Sequence, residues 1–174
     1  MIATRVVTAA AIAGSAFFVI AAQAAEIRLA VAPKISLPVD SPVYFEDAGN
    51  FYGTNIALLT SAFLRGRAEA QIQKHLPSSV RVEATRIPNT SIISITASAG
   101  DESLANSFLS AVVDQFLRFK REQKSKYYRD SINAVDAALT YIPPEYARKL
   151  EDYKQRLVIA SLLDTKPDFE RIEY

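Results

Sequence analysis

The sequence predicts an α+β fold with a small mixed or antiparallel sheet, packed helices, a long projecting helical hairpin and an N-terminal transmembrane helix. Three observations predict it. An amphipathic stretch without Gly or Pro runs from Asp101 to about Leu139. Pro143 and Pro144 then precede a second helical stretch, Glu145 to Leu163. Alternating segments, typical of strands, lie between the apolar start and the hairpin.

The composition excludes several classes of site. The chain has 174 residues, a net charge of +1, no cysteine and a single histidine, His75. Without cysteine there is no disulfide framework, thiolate chemistry or Cys-zinc site. One histidine does not make a multi-His metal centre. A net charge near zero gives no electrostatic reason to expect nucleic acid as a partner.

An uncharged segment, Val6 to Ala25, opens the chain. Two readings fit these residues better than a third, a buried helix of a soluble domain. About 20 apolar residues suffice to cross a bilayer core as an anchor. The run Ala22-Gln23-Ala24 also has the small-x-small pattern of a signal-peptide cleavage site. Both readings export the rest of the chain.

Three parts are therefore expected. Residues 1–25 form the anchor or signal, residues 26–100 with 164–174 form an α/β base, and residues 101–163 form the long helix and hairpin. The base begins with a strand over Ile27–Ile35, whose Pro33 suggests an edge position or an early end.

A loop, Ser36–Gly53, and one helix, Thr54–Leu76, follow that strand, with Thr54 or Asn55 as the helix cap. Val80–Ile87 and Ser91–Ser98 alternate cleanly around the turn Pro88-Asn89-Thr90. We expect these two strands to pair antiparallel.

The long helix changes character along its length. Leu104 to Phe119 is densely apolar and should pack on the sheet, whereas Lys120 to Lys126 is charged or polar and should leave it. Asp101 is the expected N-cap. Beyond the polar stretch, apolar residues recur with matching spacing on both helices and predict the seam of an antiparallel hairpin: Tyr128, Ile132, Val135 and Leu139 on the first helix, and Tyr146, Leu150, Tyr153 and Leu157 on the second. Phe169 to Tyr174 alternates again and predicts a returning strand.

Several phrases resemble the Wzz-type polysaccharide co-polymerases, also called chain-length determinant proteins. They are IRLAVAPKI after the apolar start, FYGTNIALLTSAFLRGRAEAQI, VRVEATRIPNTSIISITASAGDESLANSFLSAVVDQFL and the tail PDFERIEY. The resemblance is one of element order and loose phrases across nearly the whole chain. Members of that family usually carry a second membrane helix after a Pro-rich stretch, and this sequence shows neither.

The resemblance implies a periplasmic base beside the bacterial inner membrane, an outward-projecting helix and a homo-oligomer. It also implies a role in setting the length of O-antigen, capsule or exopolysaccharide chains with a membrane polymerase, without catalysis or cofactor. Because such proteins keep their first helix, the resemblance favours an anchor, in contact with membrane lipid, over a cleaved signal. A periplasmic protein–protein adaptor with the same fold is the alternative.

Candidate contacts with a glycan or partner are Arg118, Arg121, Lys124, Tyr127 and Tyr141. The first three belong to a basic cluster, which also contains Lys120, Lys126 and Arg129 and suits anionic sugar or lipid headgroups. A plain solvated stretch explains the same charges. Exposed tyrosines can stack on sugar rings.

An enzymatic reading starts from carboxylates that could act as a glycosidase pair: Glu145, Glu151, Asp152, Asp164 and Asp168. A solvated helix face accounts for most of them. His75 reads as a surface or capping residue. Arg65 and Arg67 are candidates for contact with a neighbouring subunit or for an ordinary surface role.

Overall fold

The structure, a computed structural model, describes residues 23–31, 48–164 and 167–172. The expected anchor or signal over residues 1–22, Pro33, most of the expected loop and Tyr174 lie outside these ranges. Within them, no helix is both long and apolar enough to cross a membrane. The described residues form an α+β fold of four helices and a four-stranded antiparallel sheet. The elements in chain order are β1 (Gln23–Val31), α1 (Ala48–Leu59), α2 (Ala62–Gln71), β2 (Arg81–Arg86), β3 (Ile92–Ala99), α3 (Glu102–Leu139), α4 (Pro144–Leu163) and β4 (Phe169–Ile172).

The sheet has the order β2-β3-β1-β4 and buries one face. Strand alternation places Leu29 opposite Ile93, and Ala84 and Ile27 on either side of Ile95, all on that face. The first half of α3 lies against β1 and β3, and α1 lies against β2. The other face carries polar side chains, so the base is a two-layer structure with its core between sheet and helices.

The strand hairpin β2–β3 and the start of α3 confirm the sequence-based predictions. Ile93 and its alternate neighbours in β3 are buried, as the alternation requires. Asp101 caps α3, where its carboxylate accepts a hydrogen bond from the Leu104 amide at 3.1 Å. These features depend on local sequence, which is why the residues alone predicted them.

The single helix expected over Thr54–Leu76 is wrong. Two helices stand there, and the first begins at Ala48, inside the expected loop and ahead of the expected caps at Thr54 and Asn55. The chain breaks at Ser61, whose extended backbone and hydroxyl, 3.3 Å from the Leu64 amide, make it the N-cap of α2.

The first strand starts earlier than the expected boundary of the base. Gln23, Ala24 and Ala25 pair with Ala99, Ser98 and Ala97 of β3. Ala25 is buried in the core, since alternation from Leu29 and Ile27 places its small side chain on the covered face. Residues assigned from sequence to the apolar leader thus belong partly to the sheet. The strand ends at Val31, two residues ahead of Pro33.

The helices α3 and α4 form the expected antiparallel hairpin. Val135 and Leu157 are buried between them, and Lys154 pairs with Asp136 across the seam. Five other seam residues are half-buried: Tyr128, Ile132, Leu139, Leu150 and Tyr153. Tyr146 does not belong to the seam, since it is 58 % exposed. The pairing of Lys154 with Asp136 places Tyr146 level with a point past the end of α3 at Leu139, so it has no helix to pack on.

The strand register orients the hairpin relative to the chain start. Gln23 lies beside Ala99, so β1 begins at the end of the sheet where β3 stops and α3 starts. The far end of β1, Val31, lies beside Phe169, which α3 reaches at Phe116 with a ring distance of 4.9 Å. The rest of α3 continues past this second end of the strands. The hairpin therefore projects from one end of the sheet, and residue 23 lies at the other end.

We expect Leu157→Ala to lower the free energy of unfolding of the hairpin by about 2–3 kcal/mol, because it opens a cavity in a thin seam. Native-state hydrogen exchange of α4 amides measures this local stability. Leu162→Ala is the matched control on the same helix, since Leu162 is 69 % exposed and Leu157 is 4 % exposed. Equal effects of the two changes in dilute protein would contradict the hairpin packing.

Candidate functional site: a cleft at the foot of the hairpin

A cleft of about 830 Å³ lies where α3 leaves the sheet, where α4 ends and where β4 begins. Its wall on α3 includes Lys120, Arg121, Lys124, Tyr128 and Arg129. The opposite wall includes Ser161 of α4 and the segment Pro167–Arg171. Two stretches far apart in sequence, one on α3 and one that runs from the end of α4 into β4, thus converge on one charged concavity.

An ion cluster closes the inner wall of the cleft. Lys124 Nζ contacts Asp164 Oδ1 and lies 3.6 Å from Asp168 Oδ1. The Tyr128 hydroxyl donates a hydrogen bond to Asp164 Oδ2 at 3.0 Å. The cluster ties the residue after α4 to the part of α3 that leaves the base, so it sets where the hairpin closes.

Burial raises the pKa of Tyr128 to about 12, with a further contribution from its hydrogen bond to Asp164 and from the negative charge there. Both effects disfavour the phenolate next to a carboxylate. Tyr128 therefore remains a hydrogen-bond donor throughout the physiological pH range and serves as a positioning group.

Arg121 and Arg129 place exposed guanidinium groups in the cleft. Both side chains are exposed, and neither has a hydrogen bond or ion pair among the described residues. They lie eight residues apart on α3, about 12 Å along the axis. Across the cleft, Arg171 donates a hydrogen bond to Ser110 Oγ at 3.3 Å. Guanidinium groups in this setting can bind carboxylate or phosphate in a bidentate manner.

The five residues proposed as contacts do not form one site. Arg121 and Lys124 line the cleft, but the charge of Lys124 is already engaged by two aspartates. Arg118 lies outside the lining and pairs with Glu122 at 3.2 Å. Tyr127 is exposed and contacts the edge of the Tyr128 ring, and Tyr141 stands at the tip, 86 % exposed.

Arg171 is the cleft residue that sequence reasoning missed. It arrives on β4, 50 residues after Arg121, because β4 pairs with β1 and places Arg171 beside Leu29. The alternation over Phe169–Ile172 was a signal for the strand. It did not show that the strand would lie next to the basic part of α3.

The carboxylates considered for glycosidase chemistry separate into two groups. Glu145, Glu151 and Asp152 are exposed on α4. Asp164 and Asp168 do come together, but both face the same lysine ammonium. The two carboxyl groups thus share one cation, whereas the two carboxyl groups of a glycosidase flank the glycosidic bond of a bound sugar.

The remaining candidates are engaged elsewhere within the described part of the chain. His75 is on the surface, with Nδ1 2.8 Å from Glu69. Arg65 donates to the carbonyl oxygens of Val80 and Leu76, and Arg67 donates to the side chain of Gln115 at 3.0 Å. Over the described ranges, no group of three or more His, Cys, Asp or Glu residues could hold a metal ion.

Comparisons with models of protein families, with curated proteins and with solved structures find no match for this chain.

We expect Tyr128→Phe to remove a loss of stability at alkaline pH. The phenol has its pKa raised from 10.0 to about 12 in the folded protein. Its contribution is therefore complete below pH 10 and is lost as the pH rises toward 12. Denaturant unfolding between these pH values should show a smaller decline for Tyr128→Phe than for the parent chain.

Asp164→Asn should lower the Tyr128 pKa toward its ordinary value, because the adjacent negative charge is gone. Tyrosinate absorbance, taken as the difference from the Tyr128→Phe chain, measures this shift. Asp152→Asn on the exposed side of α4 is the matched control. No difference between the two asparagine variants would contradict the ion cluster.

Proposed function

We propose that this chain is a non-enzymatic, membrane-anchored scaffold that sets the length of a surface polysaccharide in concert with a membrane polymerase. The polysaccharide would be an O-antigen, capsule or exopolysaccharide, and the main domain would lie in the periplasm at the bacterial inner membrane. The observation that carries the proposal is that residue 23 lies at one end of the sheet and the hairpin projects from the other end.

The register gives this proposal its geometry. If residues 1–22 cross the membrane, the end of the sheet at Gln23 and Ala99 faces the bilayer and the hairpin points away from it. β4 runs from Phe169 to Ile172 toward this same end. The tip near Tyr141 then stands about 60 Å from that end, since α3 rises 1.5 Å per residue.

The first strand supports an anchor over a cleaved signal. Cleavage after Ala24 would fall inside β1, between residues that pair with Ser98 and Ala97. It would remove two strand residues from a ladder in which they pair with β3. A retained segment keeps the strand whole.

The cleft suits contact with a glycan that carries negative charge. Arg121 and Arg129 present exposed guanidinium groups, without an ion pair to any other described residue, about 30–40 Å along α3 from its start. Ser125 and Asn133 add neutral hydrogen-bonding groups to the same lining. In this proposal the scaffold positions the growing polymer and makes or breaks no bond.

A protein–protein adaptor is the second candidate function. The exposed apolar side chains on α4, which a glycan-binding surface does not require, are the observation that favours it. Fold alone does not choose between the two functions, because function depends on the site. The two candidates predict different outcomes for surface glycans in a deletion strain.

We expect deletion of the gene to change the length distribution of one surface glycan, seen as an altered ladder on a gel, and the intact gene to restore it. The double variant Arg121→Gln, Arg129→Gln should restore the length distribution only in part, because it removes two exposed guanidinium groups from the cleft. Arg148→Gln and Arg156→Gln, exposed on α4 outside the cleft, form the matched control pair. An unchanged ladder in the deletion strain would favour the adaptor.

A further inference from the structure

The cleft at the foot of the hairpin is formed by two stretches that the fold brings together. Its volume of about 830 Å³ lies within the range of ligand sites, roughly 300–1,000 Å³. One wall is α3, and the other runs from the end of α4 into β4. The complete cleft therefore exists only while α4 is docked on α3. A ligand that touches both walls must in turn favour the docked hairpin, because the coupling between two such equilibria is reciprocal.

The charge balance of the lining selects an acidic ligand. Among the described residues, the lining holds five cationic side chains and three acidic ones. The acids are Asp164, Asp168 and Glu170, and the first two already share the ammonium group of Lys124. An excess of positive charge thus remains in a concave site, where the surrounding protein strengthens the attraction for anions.

The arginines of the cleft are distributed over both walls. Arg121 and Arg129 lie on α3, about 12 Å apart along its axis. Arg171 lies on β4, where it is exposed and uses only part of its N–H fork on Ser110 Oγ. Each guanidinium can bind a carboxylate or phosphate through two parallel hydrogen bonds. A ligand that pairs with all three arginines carries several acidic groups at intervals and crosses from one wall to the other.

The neutral part of the lining suits a chain of sugars. Ser125, Asn133 and Ser161 place hydroxyl and amide groups in the cleft, and these can exchange hydrogen bonds with sugar hydroxyls. Leu117 and Ile132 add apolar surface on which the C–H faces of sugar rings can pack. The cleft therefore combines the groups that recognise acids with groups that recognise the rings between them.

The height of the cleft argues against lipid headgroups as the source of the acidic groups. α3 begins at Glu102, so Lys124 lies 22 residues along the helix, or about 33 Å from the end of the sheet where residue 23 lies. If residues 1–22 cross the membrane, the bilayer does not reach this level. The acidic groups must then belong to a chain outside the bilayer.

We propose that the cleft binds an acidic polysaccharide, with carboxylate or phosphate groups at intervals, and that this ligand holds α4 against α3. The chain pairs with Arg121 and Arg129 on one wall and with Arg171 on the other. A ligand across both walls adds a tie to a hairpin that has only a thin apolar seam and the ion cluster of Lys124. The inference rests on the proposed function in naming a glycan, and it adds the acidic class of that glycan and the response of the hairpin.

Calorimetric titration of the full chain in mild detergent tests the ligand class. The probes are polygalacturonate fragments, a phosphomannan of similar length, dextran and poly-L-glutamate. We expect at least one of the two acidic glycans to bind about tenfold more tightly than dextran or poly-L-glutamate, and the one that binds identifies the acidic group. Its monomeric sugar acid, which pairs with one arginine at a time, should bind about tenfold more weakly than the chain.

Charge-removing variants test the position of the site. Arg121→Gln with Arg129→Gln should weaken binding of the acidic glycan by about tenfold or more, since it removes both arginines of the α3 wall. Arg148→Gln with Arg156→Gln removes the same charge from exposed positions on α4 outside the cleft, and it should leave the affinity unchanged. Circular dichroism of both double variants should match that of the parent chain. Equal losses of affinity would mean that the ligand responds to net charge and not to the cleft.

Hydrogen exchange tests the response of the hairpin. The relevant amides are those of Leu157 and Ala160, whose side chains are buried in the seam. With the acidic glycan at about ten times its Kd, their exchange should slow about tenfold, because a ligand that needs both walls multiplies the docked population by the factor 1 + [L]/Kd. Arg171→Gln should remove most of this protection even when the ligand saturates the arginines of α3, since the opposite wall then lacks its cation.

Four results would overturn the inference. Binding of poly-L-glutamate as tight as that of the acidic glycans would mean that the cleft takes an acidic peptide. Equal binding of dextran would mean that the arginines do not select the ligand. No binding of either acidic glycan would mean that the cleft is not their site. Binding without slower exchange in α4 would mean that the ligand contacts α3 alone.

This inference and the chain-length role fail separately. Binding and slower exchange in α4, together with an unchanged glycan ladder in the deletion strain, would remove the chain-length role and leave the acidic-glycan site. An altered ladder without binding of either acidic glycan would remove the site and leave the role.

Discussion

The first half of α3 is buried against the sheet, and this packing fixes the positions of the other parts of the molecule. Phe108, Val112 and Phe116 are fully buried there. Because the same helix continues without a break to Leu139, this packing fixes the direction of everything beyond it. A rigid helix held along half its length on a sheet projects the other half at a set angle. The hairpin and the cleft both take their positions from this packing.

The hairpin itself is held more weakly than the base. Val135, Leu157 and Ala160 are its buried apolar side chains, whereas the base has a continuous core. The ion cluster of Lys124 with Asp164 and Asp168 joins the two parts at the foot. Breaking such a partly buried cluster by removing one partner leaves charges without compensation. The foot of the hairpin is thus where a small change would most affect both its position and the shape of the cleft.

Local features were predictable from sequence and distant convergences were not. The Asp101 cap and the β2–β3 alternation depend on a few adjacent residues, so the sequence predicted both correctly. The break at Ser61 was hidden because the surrounding apolar pattern continues through it. The engagement of Lys124 depends on a residue 40 positions later, which only the closed hairpin brings near. The exposure of Tyr146 follows from the exact level at which α3 ends, which periodicity does not specify.

The proposed function requires that the base lie at the membrane and that the hairpin point away from it. Fluorophores on Gly100→Cys and Tyr141→Cys, in full chains reconstituted into vesicles with a quencher in the acyl region, test this orientation. Gly100 follows the last residue of β3, Ala99, at the end of the sheet, where an added side chain meets no other atoms within 4 Å. We expect strong quenching at position 100 and none at position 141, about 60 Å away along α3. Quenching at 141, or equal exposure of both positions to the lipid quencher, would contradict it.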